Sequence, residues 1–173
     1  MSGILRVRTT KRIAPGRAWL PRLAAELIHA EAQNKFPLET GGILMGYWAE
    51  ADVVITHAVG PGPNATHGKI SFIPDAQYQE GEVARIYEES GRLSTYLGDW
   101  HTHPRGSTRM SRRDRRTLRR IASSTEARCP KPLMALCAGG KKKWLMGVWV
   151  FKKAGYLVKL LGYDLAPLRV IFY

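Results

Sequence analysis

Two histidines and an acid stand at a spacing that can bring three metal-binding side chains to one point. His101 and His103 are separated by one residue, and Ser111 and Asp114 follow them three residues apart. Residues two apart in a strand point to the same side, so both imidazoles would face one direction. Residues three apart in a helix share a face, so Ser111 would lie beside Asp114. Two nitrogens and one carboxylate oxygen with an open fourth position are typical of a catalytic rather than a structural zinc site.

The residues around this motif predict a strand and a helix that could position it. Residues 93–101 read as a buried strand that delivers the histidines, and Pro104 stiffens the turn after them. Residues 111 to about 125 read as an arginine-rich helix. At helical spacing, Leu118 and Ile121 would face the core on the same side as the acid.

The rest of the chain alternates predicted strands and helices. Residues 18–33 predict a helix whose Leu20, Leu23, Leu27 and Ala30 would face the core. The other predicted elements are strands at 4–9, 41–48, 52–59 and 69–73, a helix at 74–90, a hairpin of 133–138 with 143–152, and strands at 156–161 and 168–172. This order predicts an α/β fold with a mixed central sheet flanked by helices. A length of 173 residues fits one domain, residues 1–173.

Each part of the motif also has a simpler explanation. Two histidines one residue apart are more often a polar rim or a hydrogen-bonded core pair than a metal site. Ser111 and Asp114 have the form of a capping box at a helix start. Glu39, before a glycine-rich apolar stretch, could be a solvated residue in front of a strand. His57 and His67 are lone histidines and are not assigned to the site, and Asp99 fits either a supporting or a surface position.

Taken together, the residues resemble the signature of the JAMM (MPN-plus) metallopeptidases. The resemblance lies in His101-x-His103-Pro104-x6-Ser111-x2-Asp114 and in the upstream Glu39-Thr40-Gly41-Gly42, and it extends from about Ala18 to about Val150. It implies a cytidine-deaminase-like architecture and one Zn²⁺ per chain, held by His101, His103 and Asp114. It also implies that Glu39 is general base and then acid, and that the Ser111 hydroxyl stabilises an oxyanion.

The same resemblance indicates a substrate class. JAMM peptidases cut isopeptide or peptide bonds after the C-terminal glycine of ubiquitin or ubiquitin-like proteins. Within the family, the chain resembles bacterial members encoded in anti-phage operons of the CBASS and Bil kinds, which implies deconjugation or precursor processing. An extended tail can add to a sheet edge, and the segment from Gly60 to Gly68, leading into Lys69 to Ile73, is the candidate edge.

The charge of the chain favours an acidic partner. The net charge is +13, and residues 105–120 hold eight arginines and one acid, Asp114. The arginines from Arg112 to Arg120 could form a solvated helix face, or they could contact an acidic protein surface. Nucleic acid binding, as in the RadC group with its related motif, is the alternative function, although no helix-hairpin-helix module is recognisable. A metal-free scaffold of the MPN-minus type is disfavoured by the intact ligand set.

Cysteine usage and hydropathy predict a cytoplasmic protein without a membrane partner. Two cysteines are too few for a disulfide framework, and the N-terminus lacks a secretory apolar segment. The longest apolar run, residues 144–151, is much shorter than a membrane span.

Overall fold

The computed structural model describes residues 16–141, 143–152 and 165–173. The strands are β1 (Arg17–Leu20), β2 (Gly41–Ala49), β3 (Asp52–Val59), β4 (Thr66–His67), β5 (Phe72–Ile73), β6 (Thr95–Pro104), β7 (Leu133–Gly140), β8 (Lys143–Phe151) and β9 (Leu165–Phe172). The helices are α1 (Arg22–Lys35), α2 (Ala76–Glu89) and α3 (Arg112–Ser123).

Seven of the strands form one mixed sheet that closes on itself. Their order is β1-β3-β2-β6-β7-β8-β9, and β1 pairs in parallel with β9 to complete the ring. The β6–β7 pair is parallel, whereas β2 pairs antiparallel with β3 and β6. The predicted α/β class with a mixed sheet is confirmed, and the closure of the sheet adds to that prediction. Strand β6, which carries both histidines, lies in the middle of this order.

The main core lies between α1 and the strands. Ala24, Ile28 and Ala32 repeat every four residues on the buried face of α1. They join a cluster that includes Leu44 of β2 and Trp100 of β6, both with no exposed surface. Burying a large apolar side chain contributes about 1.5–3 kcal/mol, so this packing holds β2 and β6 in a fixed position. Both strands lead into the site described below.

The first helix differs from its prediction in start and in buried face. Residues 17–20 form β1, with Ala18 and Leu20 fully buried, because they pair with β3 and β9. Pro21 then stands in extended backbone before Arg22, so the helix begins later than expected. Leu23 and Leu27, which we predicted to face the core, are 78% and 41% exposed. Counting Leu20 as helical placed the apolar stripe on the wrong face.

The predicted strand at 69–73 is mostly irregular. Only Phe72 and Ile73 are strand, and they pair antiparallel with Thr66 and His67. We refer to Thr66–Ile73 as the ribbon; it is separate from the seven-stranded sheet. The remaining helices and strands within the described residues were predicted to within about four residues at each end. The strands predicted at 4–9 and 156–161 lie outside the described residues.

Candidate metal centre

Strand β6 presents its two histidines to the same side of the sheet. His101 and His103 are half-buried, and Thr102 between them is fully buried on the opposite side. The Thr102 backbone N–H donates to the Thr40 carbonyl at 2.8 Å, and the Thr40 N–H donates to the Thr102 hydroxyl at 3.0 Å. These bonds join the end of β6 to the residue that precedes β2. The imidazoles are therefore held by paired backbone rather than by a loose loop.

Helix α3 supplies the acid through its first turn. The Ser111 hydroxyl accepts from the Asp114 N–H at 3.2 Å, and the Ser111 N–H donates to Asp114 Oδ2 at 2.6 Å. These two bonds form a capping box, the simpler explanation of this pair. The box does not exclude a role at the site, because Asp114 is buried and also faces both histidines. The predicted inward position of Leu118 is confirmed, since it is fully buried.

The three side chains form a compact triangle of donor atoms. His101 Nε2 lies 3.0 Å from His103 Nε2 and 3.2 Å from Asp114 Oδ1, and His103 Nε2 lies 3.4 Å from Asp114 Oδ2. Tetrahedral zinc with bonds of about 2.0–2.1 Å separates its ligand atoms by about 3.3 Å. The distances and the N₂O donor set therefore fit a zinc ion. The three residues predicted from the sequence come together as one candidate metal site.

The hydrogen bonding of His103 leaves its other nitrogen available as a ligand. Nδ1 of His103 lies 2.8 Å from the Ser107 carbonyl, which can only accept, so Nδ1 carries the proton. In the neutral ring, the lone pair is then on Nε2, which faces the other donors. A backbone carbonyl that fixes the tautomer of a ligand histidine is a common feature of metal sites.

The electrostatics of the triangle favour positive charge. Burial opposes ionisation of Asp114, but the interactions with His101 and His103 outweigh it and hold the pKa of the carboxyl well below its usual range. Asp114 in turn raises the pKa of His103, against the opposing effect of burial. A buried carboxylate next to two imidazoles stabilises a cation between them, whether a proton or a metal ion.

Glu39 lies beside this triangle. Its carboxyl interacts electrostatically with His101, His103 and Asp114, and Glu39 lines the same cleft as His101 and Asp114. Burial raises the pKa of the Glu39 carboxyl above its ordinary value, and the two histidines partly oppose that shift. The structure thus brings the predicted base to the metal site. A carboxylate with a raised pKa is better matched to accepting a proton near neutral pH.

A cleft of about 310 Å³ runs over the site. The polar residues Glu39, His101 and Asp114 line it together with the apolar residues Ile43 and Phe72. A mainly apolar cleft with a few convergent polar groups is typical of a substrate site. Asp99, whose position the sequence left open, belongs to the cleft wall and accepts a 2.7 Å hydrogen bond from the Tyr96 hydroxyl. Burial raises the pKa of this carboxyl, although the hydrogen bond from Tyr96 and the interactions with His101 and Arg120 partly oppose the shift.

Three further residues reach the site without having been assigned to it. His67, on the ribbon, donates through Nδ1 to the Glu39 carbonyl at 3.0 Å. Arg113 and Arg120 line the cleft, whereas we predicted that they would lie on outer faces of α3. Their spacing of seven residues was visible in the sequence, but the position of the ribbon beside this helix face was not. His57 is outside the site and lies 3.0 Å from the neighbouring Thr56 hydroxyl.

Comparison with known proteins identifies the family. Residues 21–149 match the family described as prokaryotic homologs of the JAB domain. The chain belongs to this family. A probable metalloprotease of Sinorhizobium fredii is 44% identical over 138 residues, which cover 79% of this chain and 84% of that protein. The predicted recognition and enzyme class, a JAMM metallopeptidase, are confirmed by this relationship.

More distant relatives of this JAB domain have more specific names. A CD-NTase/cGAS isopeptidase of Escherichia coli is 28% identical over 107 residues, which cover 62% of this chain and 65% of that protein. A protein of Desulfitobacterium hafniense, solved in solution, has a TM-score of 0.61 at 17% identity and covers 90% of this chain and 92% of that chain. The latter similarity supports the fold alone.

The helices of the JAB domain show no membrane-spanning segment. Within the described residues, none combines the length and the apolar character that crossing a bilayer requires.

Proposed function

We propose that this JAB protein is a zinc-dependent peptidase that cleaves the amide bond after the C-terminal glycine of a ubiquitin-like protein. The observation that carries the proposal is the triangle formed by His101, His103 and Asp114, with donor atoms within 4.8 Å of one another, beside Glu39 in one cleft. Two nitrogens and one oxygen suit zinc, and three protein ligands leave a fourth position open.

The metal would be held by His101, His103 and Asp114. When bound, zinc polarises a substrate carbonyl and lowers the pKa of a coordinated water towards about 7. The capping box keeps the Asp114 carboxylate in place, and the Ser107 carbonyl keeps the His103 ring in the tautomer that a ligand needs.

Glu39 would act as the proton carrier. Its carboxylate accepts a proton from the attacking water and delivers it to the amine that leaves when the C–N bond breaks. The raised pKa supports both steps, because a weakly basic carboxylate would accept the proton poorly. A general base of this kind typically contributes a factor of about 10²–10⁴ to the rate.

Ser111 would stabilise charge rather than attack the substrate. Its oxygen already accepts from the Asp114 N–H, which leaves the hydroxyl hydrogen able to donate to an oxyanion. Both histidines nearby face Asp114 and are assigned to the metal, so neither is available to activate a serine nucleophile. Hydrolysis would therefore proceed by direct attack of water, without an acyl-enzyme.

The choice of substrate is supported by the relatives and by the cleft. The isopeptidases among them are named for CD-NTase/cGAS substrates, which agrees with deconjugation in anti-phage defence. Strand β5 of the ribbon pairs only with β4 among the described strands, and its Phe72 lines the cleft. An extended Gly-ended tail could add to this strand edge, since backbone pairing accepts small residues.

The test is cleavage of Gly-ended ubiquitin-like fusions with and without a chelator. We expect wild-type protein to cleave after the glycine, to lose activity with chelator and to regain it with zinc. Glu39→Gln should keep one zinc per chain and lose activity by about 10²–10⁴-fold. Asp114→Ala should lose the metal as well. Cleavage by Glu39→Gln at the wild-type rate would disprove the assignment of the base.

A further inference from the structure

The arginines of α3 divide into two faces with different surroundings. At about 100° per residue, Arg113, Thr117 and Arg120 fall on one face, and all three line the cleft. Arg112, Arg115, Arg116 and Arg119 fall on a different face and are exposed. Arg119 interacts within the protein, and we refer to the other three, Arg112, Arg115 and Arg116, as the outer arginine stripe. Asp114 and Leu118 occupy the buried third face.

The outer arginine stripe is electrostatically unfavourable for the helix itself. Arg112 is within three or four positions of both Arg115 and Arg116, a spacing at which like charges repel. Arg112 also begins the helix, where the helix dipole disfavours a positive charge. The only acid of α3 is Asp114, which is buried and faces the histidines. Local folding energetics therefore do not explain this cluster.

The arginines in and just after helix α2, by contrast, are paired with glutamates. Arg85 of α2 pairs with Glu82 at 2.8 Å and with Glu89 at 2.6 Å, and Arg92, which follows the helix, pairs with Glu88 at 3.4 Å. In the part of the chain that the structure describes, no carboxylate pairs with the outer arginine stripe. Unneutralised charge on the outer arginine stripe, beside neutralised charge around α2, indicates that the stripe keeps its charge for a partner.

The position of α3 indicates which partner. Arg113 and Arg120 extend the positive surface from the outer arginine stripe into the cleft wall. The Arg113 guanidinium also donates to the Ile70 carbonyl of the ribbon at 2.8 Å, so this surface borders the cleft mouth. A protein whose tail occupies the cleft must cover this surface, whereas a nucleic acid duplex would have no reason to follow it into the cleft.

We infer that the outer arginine stripe docks an acidic segment of the protein substrate while its tail lies in the cleft. The identity of the partner as a substrate rests on the proposed function; the binding surface does not. Guanidinium groups pair with carboxylates through two parallel hydrogen bonds and steer association over distances of about a Debye length. The stripe would increase the rate and specificity of encounter more than the chemical step.

The binding test uses three variants and three probes. Wild type, R112Q/R115Q/R116Q and the matched control R17Q/R85Q/R92Q are titrated against a labelled octaglutamate peptide, an octaglutamine peptide and a 20-base-pair DNA duplex at about 150 mM salt. The control also removes three charges, but these arginines are already paired within the chain. We expect the stripe variant to lose about tenfold in affinity for octaglutamate and the control to lose less than about twofold.

Three results would overturn the inference. The stripe and control variants could lose affinity equally, which would indicate a non-specific effect of net charge. Both variants could keep the wild-type affinity for octaglutamate, which would indicate a solvated face. The DNA duplex could bind through the stripe more tightly than octaglutamate, which would make nucleic acid the partner. Circular dichroism and thermal melting check folding; the stripe variant should melt no lower than wild type, because its like charges are removed.

A cleavage assay separates this inference from the proposed function. The substrates are two Gly-Gly peptide amides, one with and one without a five-glutamate extension. We expect the extension to lower KM for the wild type and for the control but not for the stripe variant, with kcat unchanged. If no peptide is cleaved but octaglutamate binding depends on the stripe, the proposed function fails and the surface remains. If both peptides are cleaved with the same KM, the docking role of the stripe is disproved and the proposed peptidase function is supported.

Discussion

At the scale of single residues, Asp114 belongs both to the helix cap, which it forms with Ser111, and to the candidate metal centre. The bonds that complete the capping box are 2.6 and 3.2 Å long, and the same Asp114 carboxylate faces both histidines. The cap therefore fixes both the helix start and the direction of a candidate metal ligand. Because both functions use the same atoms, a simple alanine substitution cannot distinguish them.

Glycine at position 111 separates the helix-capping role of Ser111 from its proposed role as an oxyanion donor. An N-cap serine replaced by alanine costs about 0.5–2 kcal/mol, whereas replacement by glycine costs only a few tenths of a kcal/mol. We expect Ser111→Gly to unfold in urea almost as wild type does, yet to lose kcat by about 10²–10³-fold through loss of the hydroxyl. Ser111→Ala should lose both stability in urea and kcat. Full activity in a stable Ser111→Gly protein would show that the hydroxyl only caps the helix.

The backbone of Glu39 is held from both directions by hydrogen bonds to the ribbon. Its N–H donates to the Gly68 carbonyl at 2.7 Å, and its carbonyl accepts from His67 Nδ1 at 3.0 Å. The amide nitrogen of asparagine can take the place of Nδ1 as a donor. We expect His67→Leu to lower kcat about ten- to hundredfold with KM and zinc content little changed, since a small misplacement of a catalytic group is costly.

His67→Asn should restore most of the kcat that His67→Leu loses. A role for His67 in substrate binding would instead raise KM in both variants. Equal activity of wild type and His67→Leu would show that the ribbon does not need this bond to position Glu39.

At the scale of elements, the sheet closes through the short strand β1, which pairs with both β3 and β9. Asp52, at the start of β3, accepts hydrogen bonds from the Arg17 N–H and Nε at 2.9 and 2.8 Å and from Trp19 Nε1 at 3.2 Å. These bonds lower the pKa of the Asp52 carboxyl to about 2, and the bond from the Arg17 side chain has the largest effect. One carboxylate thus joins the strand that completes the ring to its neighbour in the sheet.

The Asp52 contacts predict a stability difference that depends on pH. A carboxyl whose pKa is lowered by folding adds stability above its unfolded pKa, and this stability is lost as pH falls through the folded pKa. We expect Asp52→Asn to unfold at lower urea than wild type at pH 7 and pH 5. The difference should shrink between about pH 4 and pH 2. Glu26→Gln on the exposed face of α1 is the control, and a difference independent of pH would contradict the mechanism.

At the scale of the whole molecule, a metal ion would connect two elements that are distinct in the fold. His101 and His103 belong to the closed sheet, whereas Asp114 belongs to α3, which packs on it through Leu118. An ion bound only by the folded protein stabilises it by about 4 kcal/mol when its concentration is a thousandfold above Kd. We expect chelation to lower the melting temperature of the wild type reversibly. The melting temperature of His103→Asn should not respond to chelator, and an equal response would place the stabilising ion elsewhere.

The histidines, serine and acid of the candidate site could be predicted from the sequence because their spacing is local. The interval between His101 and His103 depends on strand alternation, and the interval between Ser111 and Asp114 depends on one helical turn. Both periodicities can be read without knowledge of distant contacts. The family resemblance added Glu39, whose position relative to the histidines depends on the pairing of β2 with β6.

Which faces are buried and what surrounds the cleft could not be predicted, because both depend on how distant parts of the chain pack together. Ala18 and Leu20 became strand because β3 and β9 pair with them, and this moved the buried face of α1 away from Leu23. Arg113 borders the cleft because the ribbon lies across from it. Such outcomes depend on contacts between residues far apart in the chain, and these contacts outweigh the weak local preferences of a short segment.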